Sequence, residues 1–298
     1  MTFLVTGASG LIGSQVVRDL KAQGHSVVAS FRTQLADLEV DEWVLGDLAS
    51  IDWQKNMPKI DGIAAIGGSL DMANTVDAWQ TCLNVNVLGL KRLVDFAITK
   101  QIQHFVFTSS AGLYRRPALE LPVKESGNIL PQRPYWTSKL TAEQLLLTDE
   151  VRSALNPWIL RLSSPYGPKM PVRSVLPIFI DRARRNESLT LRGNGGRSQD
   201  FVSVWDASWA HVQCLLSEKV SPGPINLGSG EETSMLQLAS LVNQVFRNES
   251  SNPIAFEPAD GSDDDRFMLD ISKLQDLFGY EPLGIEKGLT RFYKESQA

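Results

Sequence analysis

Cysteine is almost absent from this chain: 298 residues carry two, Cys82 and Cys214, far apart and outside any CxxC pattern. That excludes a disulfide framework or a cysteine metal centre, and it fits free thiols in a reducing cytosol. Basic runs are missing as well. The 29 Lys and Arg stand against 34 Asp and Glu, a net charge of −5, so no nucleic acid partner is expected. No apolar stretch approaches the ~20 residues that span a bilayer. No secretory leader precedes the strand-like Thr2–Thr6. Together these point to a cytoplasmic protein without a membrane partner. Repeats and low-complexity segments are absent. The acids Asp263, Asp264 and Asp265 read as a solvated loop, and no metal site is expected.

What is present is a chain 43% hydrophobic, enough for one large domain or one domain plus a small lobe. Short apolar runs at Phe3–Thr6, Ser26–Ser30, Glu42–Leu45, Gly62–Ile66, His104–Thr108 and Trp158–Arg161 read as strands. Helix-period segments, Leu11–Gln23, Ala78–Lys100 and Trp136–Glu150, lie between them. This alternation predicts an α/β fold, a Rossmann-like doubly wound parallel sheet. Prolines at 165, 168, 171 and 177 and glycines at 193, 195 and 196 then loosen the pattern. Asp200–Val204 and Pro224–Leu227 read as strands and Leu236–Phe246 as a helix. The expected organisation is a dinucleotide domain over 1–162, its sheet completed by segments near 200–230. A small interleaved substrate lobe occupies most of 163–298.

Gly7, Gly10 and Gly13 follow a strand and open a helix. Glycines there permit a tight turn and a close backbone approach to a pyrophosphate at the positive helix end. Ser9, Leu11 and Ile12 complete this cradle. The second strand ends in Phe31-Arg32, without the acid that binds the ribose hydroxyls of NAD. An Arg at that tip pairs with the 2′-phosphate of NADP, so NADP(H) is favoured and NAD(H) is the alternative. Asp47 follows the third strand, where its carboxylate can accept from the adenine amino group.

Tyr135 and Lys139 lie one helical turn apart, on the same face. A free phenol titrates near ~10. The Lys charge is expected to lower the Tyr135 pKa so that it exchanges a proton with a carbonyl oxygen as hydride moves. Ser109 and Ser110 follow the strand His104–Thr108, at the sheet edge where ligands bind, and either hydroxyl can orient the substrate oxygen.

With these residues in view, the chain resembles the extended short-chain dehydrogenase/reductase family, in its epimerase/dehydratase branch. The matching stretches include Thr6-Gly-Ala-Ser-Gly-Leu-Ile-Gly13, Gly46-Asp-Leu48, Asn86-Val-Leu-Gly89, Phe107-Thr-Ser-Ser-Ala111 and Pro131-Gln-Arg-Pro-Tyr-Trp-Thr-Ser-Lys139. Further along come Pro165-Tyr-Gly-Pro168, Asp200-Phe-Val-Ser-Val204, Ile225-Asn-Leu-Gly-Ser-Gly230 and Asp270-Ile-Ser-Lys273. The resemblance implies catalysis by Ser110, Tyr135 and Lys139, with Asn86 shaping the site. It implies cofactor contacts from Leu48, Ile66, Gly67, Gly68, Thr108, Pro165, Tyr135 and Lys139. It also implies a homodimer through the helices carrying Asn86 and Tyr135. The chain departs from the family at four points. The first is the run after the fourth strand, where a His-x-Ala-Ala-like sequence reads Ala65-Ile-Gly67-Gly68 and the His is gone. Dehydratases carry an Asp-Glu pair after the catalytic residue, where Ala111-Gly112 stands in this chain. A substrate-contacting Asn is Ser164, and a diphosphate-binding Arg is Gln199. Arg173, Arg192 or Arg197 can supply the missing charge.

The expected function is an NAD(P)-dependent oxidoreductase, an NADPH-dependent ketoreductase of a nucleotide-linked 4-keto-6-deoxy sugar. Three alternatives stay open on the same residues. They are a nucleotide-sugar 4-epimerase that retains NAD, a reductase of a non-nucleotide carbonyl compound, and a non-catalytic NADP-binding regulator.

Overall fold

Phe3, Leu4 and Val5 expose no surface at all, and a run apolar on successive residues suits a strand covered on both faces. It forms β1 (Thr2–Thr6), the centre of the fold in a computed structural model that describes residues 1–298 except 33–37, 56, 169, 173, 260, 262 and 298. Next come α1 (Leu11–Ala22), β2 (Ser26–Phe31), β3 (Glu42–Leu45) and β4 (Gly62–Ala65). A long helical run follows: α2 (Val76–Cys82), a π-helical stretch (Leu83–Leu88) and α3 (Gly89–Thr99). Then come β5 (His104–Ser110), α4 (Pro134–Leu146), α5 (Asp149–Leu155) and β6 (Trp158–Leu162). The later elements are β7 (Ser164–Tyr166), α6 (Val175–Arg184), β8 (Leu189–Arg192), β9 (Ser198–Gln199), β10 (Phe201–Ser203) and α7 (Val204–Leu215). The chain closes with β11 (Pro224–Leu227), β12 (Thr233–Ser234), α8 (Met235–Val245), β13 (Ile254–Glu257), α9 (Ser272–Phe278) and α10 (Ile285–Glu295).

The chain folds into two compact units. The first comprises 1–114, 129–162 and 207–226; the second comprises 115–128, 163–206 and 227–298. In the first, a seven-stranded sheet has the order β11-β6-β5-β4-β1-β2-β3. The six strands from β6 to β3 run parallel, with Phe3 facing Val27 on one side and Gly62 on the other. The fold class is therefore α/β with a Rossmann-like sheet. The order reverses direction between β1 and β4, and that switch point is where open α/β sheets bind ligands. A core cluster of Ile63, Leu93, Phe96, Phe105, Leu146 and Ile159 packs the helices onto the sheet.

The second unit holds three two-stranded sheets: β10 beside β7, β13 beside β8 and β12 beside β9, the last antiparallel. The carboxylate of Asp200, fully buried, ties its segments together. It accepts from the Ser229 and Gly230 amides, the Ser229 hydroxyl and the Leu269 amide.

Several boundaries differ from the sequence expectation. The helix expected to reach Glu150 ends at Leu146, and a separate helix starts at Asp149. The strand expected over Asp200–Val204 is short, and α7 begins at Val204. Pro177 lies in the first turn of α6 rather than in a loop; there its missing N–H removes no helical hydrogen bond. Asp265 is no solvated acid but takes both ends of the Arg116 guanidinium, at 2.8 and 3.0 Å.

Candidate active site

The turn after β1 is built by backbone contact. Gly7 has φ +66, and a Cβ on it would lie 2.6 Å from the Gly67 Cα. A Cβ on Gly13 would lie 2.8 Å from the Gly7 carbonyl carbon. The Thr6 hydroxyl accepts from the Ile66 and Gly67 amides at 3.1 and 3.0 Å, which pins the ends of β1 and β4 together. Gly10 caps α1 without a side chain, and the first turn carries no acid. The positive end of α1 therefore opens onto the turn with its N–H groups free for an anion.

These residues wall a groove of about 350 Å³ in the first unit. Gly7, Ser9, Gly10, Leu11, Ile12, Gly13, Arg32, Asp47, Leu48, Ile66, Gly67, Gly68, Tyr135 and Lys139 all line it. Sequence reasoning did not assign Ser30, Gly46, Ser69, Leu70, Thr81 and Val85, which line it too. The Ser30 hydroxyl is buried without a hydrogen-bond partner. Its signal was its place one residue before the Phe31-Arg32 tip. Arg32 itself is exposed. Asp47 turns one carboxylate oxygen onto the Ala49 amide, at 2.9 Å.

Two expected cofactor contacts lie elsewhere. Thr108 is 6% exposed. Its carbonyl accepts from Lys139 Nζ at 2.8 Å, and its hydroxyl sits 2.7 Å from His211 Nε2. Burial pushes the His211 imidazole down to about 4, so the ring is neutral. Its Nδ1–H donates to the Ala207 carbonyl, leaving Nε2 to accept from Thr108. Thr108 thus positions Lys139. Pro165 is exposed and lines a cavity of the second unit instead.

Asn86, in the π-helical stretch and 3% exposed, reaches two segments with one amide. Its Nδ2 donates to the Ser69 carbonyl and the Ser138 hydroxyl at 3.0 and 2.8 Å, and its Oδ1 accepts from the Ser69 amide at 2.7 Å. It therefore braces the loop after β4 against α4. Ser110 caps the turn after β5 by accepting the Gly112 amide, at 3.1 Å. That leaves its O–H to donate. Ser109, expected beside it as a substrate contact, is 1% exposed. Its hydroxyl donates to Glu143 at 2.5 Å, and Glu143 forms a buried ion pair with Arg161 at 2.7 Å. Ser109 is a structural residue.

Tyr135 and Lys139 share the groove, with Nζ 5.8 Å from the phenol ring centre and 4.6 Å from that of Phe107. Burial pushes the Tyr135 phenol above its ordinary value, and the nearby Cys82 thiol adds to this. This reverses the expected lowering. Burial outweighs the neighbouring ammonium, and it pulls the Lys139 ammonium down to about 8 as well, with Glu143 and Cys82 opposing. At neutral pH the pair is a firmly protonated phenol beside a weakly held ammonium.

The second unit contains a cavity of about 630 Å³. Arg182, Arg192, Arg197, Gln199 and Ser164 line it together with Leu176, Phe179 and Glu257. Gln199 donates to Ser164 at 2.8 Å and accepts from Arg116 at 3.1 Å. Arg173 lies outside the described residues. Among the described residues no group of acids, histidines and cysteines is placed to hold a metal ion.

The sequence pattern of the NAD dependent epimerase/dehydratase family matches residues 3–228. The chain belongs to this family. Its members are enzymes. A relative from Methanocaldococcus jannaschii, provisionally named a UDP-glucose 4-epimerase, is 28% identical across 97% of this chain and 96% of its own. A dTDP-4-dehydro-6-deoxy-D-allose reductase of Streptomyces bikiniensis is 25% identical across 97% and 94%. The solved structure of MoeE5 with UDP-glucose and NAD superposes with a TM-score of 0.85 at 24% identity, covering 100% of this chain and 99% of that one. In this family member the glycine groove and the Tyr135–Lys139 pair occupy one unit, and the arginine-lined cavity belongs to the other.

Proposed function

We propose that this family member is an NADPH-dependent reductase of a nucleotide-linked 4-keto-6-deoxy sugar, with Ser110, Tyr135 and Lys139 as its catalytic set. The observation that carries the reading is Arg32 at the lip of the glycine groove. Among the described residues after β2, no acid stands where the ribose hydroxyls of NAD would be held. An exposed guanidinium there suits a 2′-phosphate. The groove fits a dinucleotide in other ways: the uncapped α1 terminus takes the pyrophosphate, and the orphaned Ser30 hydroxyl still needs a partner.

A bound nicotinamide supplies the hydride. Ser110 donates its O–H to the substrate ketone oxygen. Tyr135 passes its proton to that oxygen, so the ketone gains one hydride at carbon and one proton at oxygen. The phenolate is then reprotonated from solvent. Lys139 holds the nicotinamide ribose and places its charge beside the phenolate. The buried Tyr135 phenol carries its proton at neutral pH, as a reduction requires. The cavity of the second unit, with three arginines against one carboxylate, suits the diphosphate of a nucleotide. It offers charge to replace the Arg missing at Gln199.

A 4-epimerase retaining NAD is the second reading. It is favoured by the Methanocaldococcus relative's name and by the NAD in the MoeE5 structure. Denaturing the purified protein and identifying the released nucleotide by mass spectrometry separates the two. The reductase should release nothing or NADP(H). Near-stoichiometric NAD would overturn it in favour of the epimerase. We also propose a cytoplasmic homodimer joined through the helices that carry Asn86 and Tyr135.

A further inference from the structure

Trp136 directly follows Tyr135 in the first turn of α4 and is partly exposed. Its indole lies on Gly112. A Cβ built on that glycine would fall 2.6 Å from the indole Cδ1 and closer still to Nε1. The indole therefore fills the space into which any side chain at position 112 would project. Gly112 is also the residue whose amide donates to the Ser110 hydroxyl. The indole of Trp136, the residue that follows Tyr135 in α4, is thus held against the residue whose amide bonds the Ser110 hydroxyl. The pyrrole edge of the indole, Nε1 included, is turned onto Gly112. The wall it forms with Ala111 and Gly112 carries no acid and no cation.

We propose that Trp136 is a specificity-determining residue. Its indole meets the substrate carbons next to the reacting carbonyl and selects an apolar, deoxygenated substituent there. The inference rests on the nucleotide-sugar reading above and specifies which sugar that site takes. With the carbonyl oxygen held by Ser110 and Tyr135, a group that flanks both touches the neighbouring carbons. An aromatic plane gains contact with a methyl group, whereas a hydroxymethyl group is left partly unsatisfied against it and a carboxylate is buried without a counter-charge. The wall itself offers no base to take a proton from the carbon beside the carbonyl.

The test is a binding titration of the cofactor-loaded protein with 6-deoxyglucose and glucose, each as its UDP and dTDP conjugate. The wild type should bind the 6-deoxy sugar about tenfold more tightly or better, the scale on which an apolar pocket separates such pairs. Trp136→Ala should erase the preference while leaving nicotinamide cofactor affinity unchanged, and Trp136→Phe should keep part of it. Should Trp136→Ala not fold, Gly112→Ala displaces the indole from the other side and should also cut the preference. Tight binding of both sugars with a ratio that neither substitution moves would overturn the role of Trp136 and leave the function standing. Failure of all four conjugates to bind the wild type would overturn the nucleotide-sugar reading, and this one with it.

Discussion

At the scale of single residues, the site is governed by what burial does to two protons. Tyr135 is held protonated, and Lys139 is pulled to about 8. Carbonyl reduction needs the phenol proton and the ammonium charge together. The phenol keeps its proton throughout the working range, so the limb that matters belongs to Lys139. Its charge is complete well below pH 8 and is lost as pH rises through that value. The kcat/KM for reduction should therefore be level at neutral pH and fall above about pH 8, as read from a pH–rate profile of the free enzyme. A profile level beyond about pH 9.5 would show that the Lys139 charge plays no part in the reduction. Tyr135→Phe should lower turnover by about 10²- to 10⁴-fold, the usual worth of a positioned proton donor. Cofactor binding, read by fluorescence titration, should be retained. Wild-type turnover in that variant would sink the mechanism.

At the scale of elements, α4 does more than carry Tyr135 and Lys139. One turn after Lys139, Glu143 is fully buried and bonded to Arg161 on β6 and to Ser109 on β5. Arg161 in turn donates to the Tyr114 hydroxyl at 3.0 Å. This network fixes the helix against two strands of the sheet, and the Glu143 charge also holds the Lys139 pKa up. Glu143→Gln should cost about 3–5 kcal/mol in urea unfolding, because it leaves the Arg161 charge buried and uncompensated. The paired change Glu143→Leu with Arg161→Met should cost less than either single change. Glu143→Gln should also move the fall in kcat/KM to lower pH, which a purely structural pair would not do. These roles were hidden in the sequence. A Glu at i+4 from a Lys looks like a solvent-exposed helix pair, and Ser109 looks as available as Ser110 until the pleat of β5 sends one hydroxyl inward. The sheet strands were legible because their residues are apolar on both faces. The glycine turn was legible because Gly7 and Gly13 answer to backbone contacts that exclude a Cβ, with Gly10 in a tight space between them. The second unit was read poorly. Its helices α6, α9 and α10 hide behind prolines and charges, and its ties, such as Asp200 to Ser229 and Leu269, join residues remote in sequence.

At the scale of the whole molecule, one observation bears on assembly. The long helical run from Val76 to Thr99 exposes large apolar side chains along its length: Val76 at 72%, Leu83 at 39% and Leu88 at 53%. A single exposed leucine needs no explanation, but several on one helix suggest a face that a partner covers. Asn86 lies in the same run with its side chain turned inward, so the residue that braces the groove and the residues that would meet a second copy share one helix. A two-fold pairing would bring each helix against its own copy and fulfil a closed, self-complementary interface. The π-helical stretch then acquires a use, because the extra residue per turn lets Asn86 point in while Leu83 and Leu88 point out. The protein should elute as a dimer in light scattering coupled to size exclusion at micromolar concentration. Leu88→Glu, on the exposed side, should shift it to monomer while unfolding stays cooperative, with little direct loss of fold stability since the side chain is solvent-exposed. A wild-type monomer at that concentration would remove the dimer. A variant that remains dimeric would place the interface on another face.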